Sequence, residues 1–520
     1  MPRTLILLIV LFAVLTQAAA NPDAQFPDPD RRAKLATSFG DIDRLFTEFA
    51  KSRRVPGAAW GIVIDGELAH TGSSGVRSLE SNAPVNAETV FRIASMTKSF
   101  TAMAIVKLRD EGKLSLDDPV ERYVPELKML QYPTSDSPRI TIRHLLTHSE
   151  GFPEDNPWGD QQLSESDEAF TRMMREGVPF SNAPGVAYEY SNYGFAILGR
   201  VVTAASGMDH EEYVSRHILQ PLGMTSTTLH PSKVPPDRLA IGYRWEDGRW
   251  KVEPALPHGA FGAMGGMLTS MRDLGRYVAF LLDAWPPRHG AETGPVRRAS
   301  LREMQQPWRP SVLRVSRDAS TGATQLTSAA YGYGLRVTAT CEFPSIVAHS
   351  GGLPGYGSVM QWLPDYGVGI MAFGNLTYTG WGGVANDAFA RLAETGGLQP
   401  RLVQPSPALV SARDDVSRLI IEWDDALADR IAAENLFLDR SKDRRRREIE
   451  DLRSKAGACT APAGFDRVEN ALRGTWTMRC ERGALQVAIT LAPTMPPTVQ
   501  YLAVRPPRPL PSGPCEILGR

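Results

Sequence analysis

The sequence predicts an α+β fold: one large domain whose sheet is assembled from both ends, with a mainly helical region beside it, then a smaller α+β domain at the C-terminus. Three observations carry this expectation. AAWGIVIDGELAHTG reads as a strand near Ala58 to Ile64, a turn at Asp65-Gly66 and a second strand from Glu67; Asp-Gly supplies the positive φ angles that a tight hairpin needs. From Ile140 to about His230 the text is helical with loops. From about Tyr331 to Gly374 strand patterns return, in GYGLRVTA, SIVAHSGG, SVMQWLP and GVGIMAFGN. Strands at both ends with helices between them are not an alternating βαβ pattern.

The elements follow in order. Arg3, the apolar run Leu5 to Leu15 and Ala18-Ala19-Ala20 predict a signal peptide over residues 1–20, too short to span a bilayer. The expectation is therefore a periplasmic or secreted protein whose mature chain starts near Asn21 and has no membrane span. Leu35 to Ala50 reads as a helix. FRIASMTKSFTAMAI opens a second helix, from near Ser95 to around Gly112. Its AMAIV stretch, Ala102 to Val106, is apolar all round, which places it in a core. ITIRHLLTH, DEAFTRMMREG, NYGFAILGRVVTAASG and HEEYVSRHILQPLG supply the helical middle. HGAFGAMGGMLTSMRDLGRYVAFLL then leads into a helix capped by Thr269 or Ser270.

The composition changes at LQPRLVQPSP, so the large domain is placed at residues 21–398, a linker at 399–410 and the small domain at 411–520. The small domain begins charged and helical to about Lys455. In TWTMRC, Trp476, Met478 and Cys480 share a face; in ALQVAITL, Leu485, Val487, Ile489 and Leu491 do. Period-2 alternation predicts an antiparallel sheet with one face buried under the preceding helices. The tract Asp439 to Arg453 mixes both charge signs and reads as a solvated, salt-bridged helix. No chemistry is predicted in this domain; a homodimer contact is one expectation for it.

The chain has 520 residues, 42% of them hydrophobic, and a net charge of −1. That length exceeds one ordinary core, and the near-neutral charge removes the usual reason to expect a nucleic-acid partner or an anionic membrane. Four cysteines, Cys341, Cys459, Cys480 and Cys515, allow three pairings; three of them lie in the last 62 residues, so a bridge is expected to staple the C-terminal part. There is no CxxC and no Cys/His cluster, and no metal or cofactor is expected. His144 and His148 are i and i+4 but lack the glutamate of HExxH, so structural hydrogen bonds are expected of them. Gly262, Gly265 and Gly266 lack the spacing of a phosphate loop and read as a tight backbone wall by the cleft.

The chemistry gathers around Ser95 and Lys98. Residues three apart on a helix share a face. A serine at a helix start has unpaired backbone N–H groups and the positive dipole end near it, and burial lowers a lysine pKa toward proton-accepting range. SxxK alone is a weak pattern whose ordinary reading is a cap and a snorkelling lysine. Two further motifs change that. Tyr190-Ser191-Asn192 is a YxN just before an apolar helix, and His349-Ser350-Gly351-Gly352 ends a strand. The ordered set SxxK, YxN and [K/H]xG resembles the serine β-lactamase and penicillin-binding-protein superfamily. The closest likeness is to the branch with class C β-lactamases, D-alanyl-D-alanine carboxypeptidases, D-aminopeptidases and esterases. ITIRHLLTHSEGF and GGMLTSMRDL also look like segments of that branch, and the likeness covers roughly Leu35 to Leu398.

That resemblance implies a β-lactamase-like fold, with a central antiparallel sheet flanked by helices, a mainly helical region and a cleft between them. It implies Ser95 as the acylated nucleophile, Lys98 as its proton acceptor and Tyr190 as a shared acid/base. Asn192 would bond the substrate amide and hold Lys98, His349 would line the cleft, and Gly351 would let a strand approach the substrate. The N–H groups of Ser95 and Gly352 would form the oxyanion hole. Hydrolysis through an acyl-enzyme then needs no metal.

β-Lactamases of this branch usually carry lysine where His349 stands. A histidine near pKa 6.5 is mostly neutral at pH 7, so the expected substrates are D-amino-acid peptides, amides or esters. The alternatives are a class C-like β-lactamase and a penicillin-binding sensor or scaffold without turnover. Ala348 to Gly352 also comes within one residue of the GxSxG nucleophile elbow, whose fold needs a histidine after the serine; no histidine follows His349, and that reading fails.

Overall fold

A computed structural model describes residues 22–508 apart from 318–321 and 323. The signal-peptide expectation and Cys515 lie outside the described residues. Two compact units are present: Phe26–Pro400, and a second made of residues 401–508 with residues 22–25.

The large unit is organised by a nine-stranded antiparallel sheet. Its order is Ala83–Pro84, Glu67–Ser78, Gly57–Ile64, Val368–Gly374, Tyr356–Leu363, Ile346–Leu353, Arg336–Thr340, Thr324–Tyr331 and Arg309–Arg317. The N-terminal hairpin thus joins the returning strands through Gly57–Ile64 beside Val368–Gly374. Asp65 and Gly66 sit at φ 52° and 82° and close that hairpin. The strand GAAWGIVI is apolar throughout because both faces are covered. Ala59 and Val63 enter one core, with helices Thr97–Asp110 and Met271–Asp283. Ala58, Trp60, Ile62 and Ile64 enter the other, with helices Phe39–Ser52 and Gly382–Glu394.

Two expectations change in detail, and a third is narrowed. The strand region begins at Arg309, not near Tyr331: Arg309–Arg317 is an exposed edge strand, and its charged side chains mask the alternation while blunting the edge. The helix expected over Leu35 to Ala50 is two, Arg31–Ala36 and Phe39–Ser52, broken at Thr37-Ser38. The cap of Met271–Asp283 is Ser270, whose side chain accepts from the Asp273 N–H. Thr97–Asp110 is buried continuously from Thr97 to Val106, as its all-round apolar text requires. No described helix is long and apolar enough to cross a membrane.

The second unit is a four-stranded antiparallel sheet, Arg467–Asn470, Arg473–Cys480, Gly483–Leu491 and Val499–Arg505. Trp476, Met478, Leu485, Val487, Ile489 and Leu491 pack against Leu409, Val416, Leu419 and Ile449 of the helices before them. The charged tract forms helix Lys442–Ala456, laced by i,i+4 pairs: Arg444–Glu448 at 3.1 Å, Arg446–Glu450 at 3.2 Å and Lys455–Asp451 at 2.7 Å. Cys459 and Cys480 form a disulfide that closes the end of this unit, and Cys341 is disulfide-bonded as well.

Candidate active site

One turn of chain builds the serine–lysine pair. Strand Val90–Arg92 leads into a short 3-10 turn, Ala94–Met96, which continues as helix Thr97–Asp110. Ala94 has φ 51°, a left-handed conformation that costs a Cβ-bearing residue roughly 1–2 kcal/mol; such strain gathers at functional sites. Ser95 lines a cleft of about 430 Å³, whereas Lys98 is fully buried behind its wall.

Lys98 Nζ donates to Ser95 Oγ at 3.1 Å, to Asn192 Oδ1 at 2.6 Å and to the Met264 carbonyl at 2.9 Å. Three donors meet three acceptors. Burial pushes its pKa down to about 7; Asp160 and Asp155 pull against that, and Arg336 adds to it. The partners decide where a lost proton leaves its mark. The Asn192 and Met264 oxygens can only accept, so they keep the two remaining N–H bonds of a neutral amine. Its lone pair then faces the one partner that carries a proton, the Ser95 hydroxyl.

Tyr190 hydrogen-bonds Ser95, and its ring centroid lies 4.8 Å from Lys98 Nζ. Burial pushes the phenol far above its ordinary pKa, so it is a neutral group that can relay a proton but does not start as a phenolate. The YxN segment is held from three sides. Ser191 caps helix Asn192–Ser206 by accepting from the Gly194 N–H at 3.0 Å. The Asp155 carboxylate accepts from the Asn192 and Tyr193 N–H groups at 2.6 and 2.8 Å, donors a helix start leaves unpaired. His148 Nδ1 accepts from the Ser191 N–H at 3.0 Å, and its ring packs 4.4 Å from that of Tyr190. His144 closes a capping box with Thr141. Both histidines therefore make the structural hydrogen bonds expected of them.

Two expected contacts with substrate, Asn192 and Gly351, are placed differently, and His349 lines the cleft as expected but with its ring occupied. Asn192 is fully buried; it holds Lys98, and its Nδ2 donates to Asn156 Oδ1 at 3.3 Å, so it faces the interior and Asn156 lines the cleft instead. Gly351 is turned to the Ser95 turn rather than to substrate: a Cβ there would lie 2.2 Å from the Ile93 carbonyl oxygen. His349 lines the cleft, but both ring nitrogens are engaged. Its Nδ1 donates to the Ser350 carbonyl at 2.6 Å, which leaves Nε2 to accept from the Tyr331 hydroxyl at 2.8 Å. Burial, with Lys98 and Arg336 nearby, lowers its pKa to about 3. His349 is a neutral structural member. Gly352 does reach the cleft, beside Ser95.

Two charged cleft residues were not singled out in the sequence. Arg336 lines the cleft with its guanidinium 5.8 Å from the Tyr190 ring centroid. It bonds the Tyr188 phenol and has no carboxylate partner among the described residues, so the cleft holds a permanent cation. Its signal was an arginine between the buried Leu335 and Val337, on the strand paired with that of His349. Asp160 is 4% exposed and hydrogen-bonded to Tyr378 on the cleft wall, with its pKa pushed up to about 6 by burial. Nothing local marks it: its burial depends on chain folded from elsewhere.

Glu150 lies behind this wall, fully buried against Gly194. Burial, and secondarily Asp155, raises its pKa well above the carboxylate range. The folded chain therefore keeps a proton that the unfolded chain releases above about pH 4.3, so this residue's contribution to stability falls as pH rises. Glu150→Gln removes the titration. The Tm of the variant should gain on that of the wild type between about pH 5 and about pH 8; parallel Tm curves would contradict the buried, protonated state.

The family model described as Beta-lactamase matches residues 42–395, and the chain belongs to that family. Beta-lactamase-like protein 2 of Dictyostelium discoideum is 30% identical over 295 residues, 54% of this chain and 53% of that protein. Protein flp of Staphylococcus aureus (strain MW2) is 29% identical over 252 residues, 47% of this chain and 49% of that protein. The matches thus span about half the length of these curated relatives. The solved structure of the octameric penicillin-binding protein homologue from Pyrococcus abyssi superposes with TM-score 0.58 at 24% identity, covering 90% of each chain. It shares the fold: a large antiparallel sheet flanked by helices.

Proposed function

We propose that this protein is a serine hydrolase that works through a Ser95 acyl-enzyme on D-amino-acid peptides, amides or esters, and that carboxylate-bearing substrates are preferred. The observation that carries the reading is the buried Lys98 ammonium on Ser95 Oγ at 3.1 Å, arranged so that its deprotonated form addresses only that hydroxyl. Ser95 Oγ bonds to the substrate carbonyl carbon as its proton passes to Lys98 Nζ. The oxyanion is received by the N–H groups of Ser95 and Gly352. Tyr190 gives its proton to the departing amine or alkoxide and regains one from the neighbouring Lys98 ammonium, which holds the proton taken from Ser95. Water then cleaves the acyl–serine ester and restores Ser95.

Arg336 supports the preference for an anionic terminus, because it supplies at that wall the positive charge that His349 lacks. The same cation would receive the carboxylate of a β-lactam, which keeps acylation by penicillin as a second reading. The test is wild type against Ser95→Ala with p-nitrophenyl acetate, N-acetyl-D-alanyl-D-alanine and a fluorescent penicillin, following product and protein mass. Hydrolysis lost in Ser95→Ala supports the proposal, and a stable penicillin adduct favours the second reading. Hydrolysis that survives Ser95→Ala sinks both. A periplasmic or secreted location belongs to the proposal and is in keeping with the Cys459–Cys480 disulfide.

Arg336→Gln gives a sharper prediction. Hydrogen bonds to charged groups contribute roughly 1.5–3 kcal/mol. The ratio of kcat/KM for N-acetyl-D-alanyl-D-alanine to that for p-nitrophenyl acetate should therefore fall about 10–100-fold. The acidic limb of the pH profile should also move upward, because the guanidinium helps to depress Lys98. An unchanged ratio would remove Arg336 from substrate recognition.

A further inference from the structure

Three metal-ligating side chains converge on elements that the chemistry above does not use. Glu211 lies in the first turn of helix His210–Val214. His230 follows the bridge of Thr228 to Leu268, and His258 lies in the segment that leads into the Gly262–Gly265 turn. Their ligand atoms all lie within 4.8 Å of one another. His230 Nε2 is 2.5 Å from Glu211 Oε2, and His258 Nε2 is 3.8 Å from the same oxygen. The Lys233 ammonium donates to the other oxygen, Oε1, at 2.9 Å. The carboxylate is therefore divided, one oxygen to the lysine and one to the imidazoles.

His258 is the informative member. Its ring fills the space over Gly262, where a Cβ would lie 2.1 Å from ring Cε1. Packing holds it, yet its buried Nδ1 has no partner among the described residues. At 3.8 Å, its Nε2 is beyond hydrogen-bond reach of Glu211. The nitrogen that faces the cluster, Nε2, is therefore left free to bind an ion beside the Glu211 carboxylate.

We propose that Glu211, His230 and His258 form a zinc site. Two imidazoles and one carboxylate suit zinc, with bonds of roughly 2.0–2.2 Å and a fourth, tetrahedral position left to water. Magnesium and calcium prefer shells of oxygen. Tetrahedral ligands at that radius stand about 3.3 Å apart, so His258 Nε2 closes by about 0.5 Å while His230 Nε2 withdraws by about 0.8 Å. Lys233 stays on Oε1 and directs the carboxylate to bind through Oε2 alone, as outer-shell groups do. The ion ties the chain at His258 to helix His210–Val214. Met264, in the turn that follows, supplies the carbonyl that holds Lys98, so the site is a clamp behind the catalytic wall.

The test is a zinc chloride titration of the chelator-stripped full chain, read by calorimetry and by thermal shift, with cobalt(II) absorption as a second readout. One equivalent should bind, raise the Tm and give the visible bands of a four-coordinate cobalt site. Glu211→Gln and His258→Ala should each weaken binding by about 100-fold or more. His230→Asn, which leaves the packing at Gly262 intact, guards against a folding defect in His258→Ala. No saturable binding by wild type, or binding that all three variants retain, overturns the proposal.

Discussion

Lys98→Met should lower kcat/KM by about 10³–10⁴-fold while the protein still folds. The variant keeps the length of the side chain and loses the base. It leaves the Asn192 and Met264 oxygens unpaired, at a cost of roughly 1–3 kcal/mol each. Against this, an ammonium no longer has to be stripped of water, so Tm should move little. In wild type kcat/KM should rise with pH through about 7, the value to which burial lowers Lys98, because the base works only after losing its proton. The stability sign follows from the same shift. Between about 7 in the folded chain and about 10.4 in the unfolded one, the unfolded state binds more protons. Stability from this residue therefore rises with pH across that window, and Lys98→Met removes the slope. A kcat/KM that stays flat between about pH 5 and about pH 8 would show that the buried amine is not the base.

Gly351→Ala should cost both stability and rate. Its Cβ would lie 2.2 Å from the Ile93 carbonyl oxygen and 2.4 Å from Ser358 Oγ, and that hydroxyl already donates to Ile93 O at 2.8 Å. Neither the strand nor the serine turn can remain in place. Overpacking of this kind costs about 1–3 kcal/mol, and a displacement of about 1 Å at the reacting atom costs about 10²-fold in kcat. Gly383→Ala is the matched control: nothing lies within 4 Å of its added methyl, and it sits in the first turn of helix Gly382–Glu394, where alanine is well tolerated. Chemical denaturation and initial rates on the two variants separate the close approach from a general intolerance of alanine. Equal behaviour of the two would refute the account of Gly351.

Much of the fold was legible because its signals are local. The Asp65-Gly66 hairpin, the all-round apolar helix after Ser95 and the period-2 strands of the second unit each depend on residues a few positions apart. The edge strand Arg309–Arg317 was missed because an exposed edge carries charges that break the alternation. The break at Thr37-Ser38 was missed because Leu35, Ile42 and Phe46 enter one core from both sides of it, so the apolar periodicity continues where the backbone does not.

The sequence by itself determined the reactive pair, since three residues of helix bring Lys98 to Ser95 wherever that helix is placed. It also determined the order of motifs from which the family can be read. Only the tertiary structure decided what surrounds that pair. It placed Asn192 on Lys98 and away from the cleft, enclosed both nitrogens of His349, and put the Arg336 cation on the cleft wall beside that histidine. These outcomes depend on strand register and on burial by distant segments. The free energy of a charge in such a place is set by the whole surrounding volume, which no short window of sequence contains.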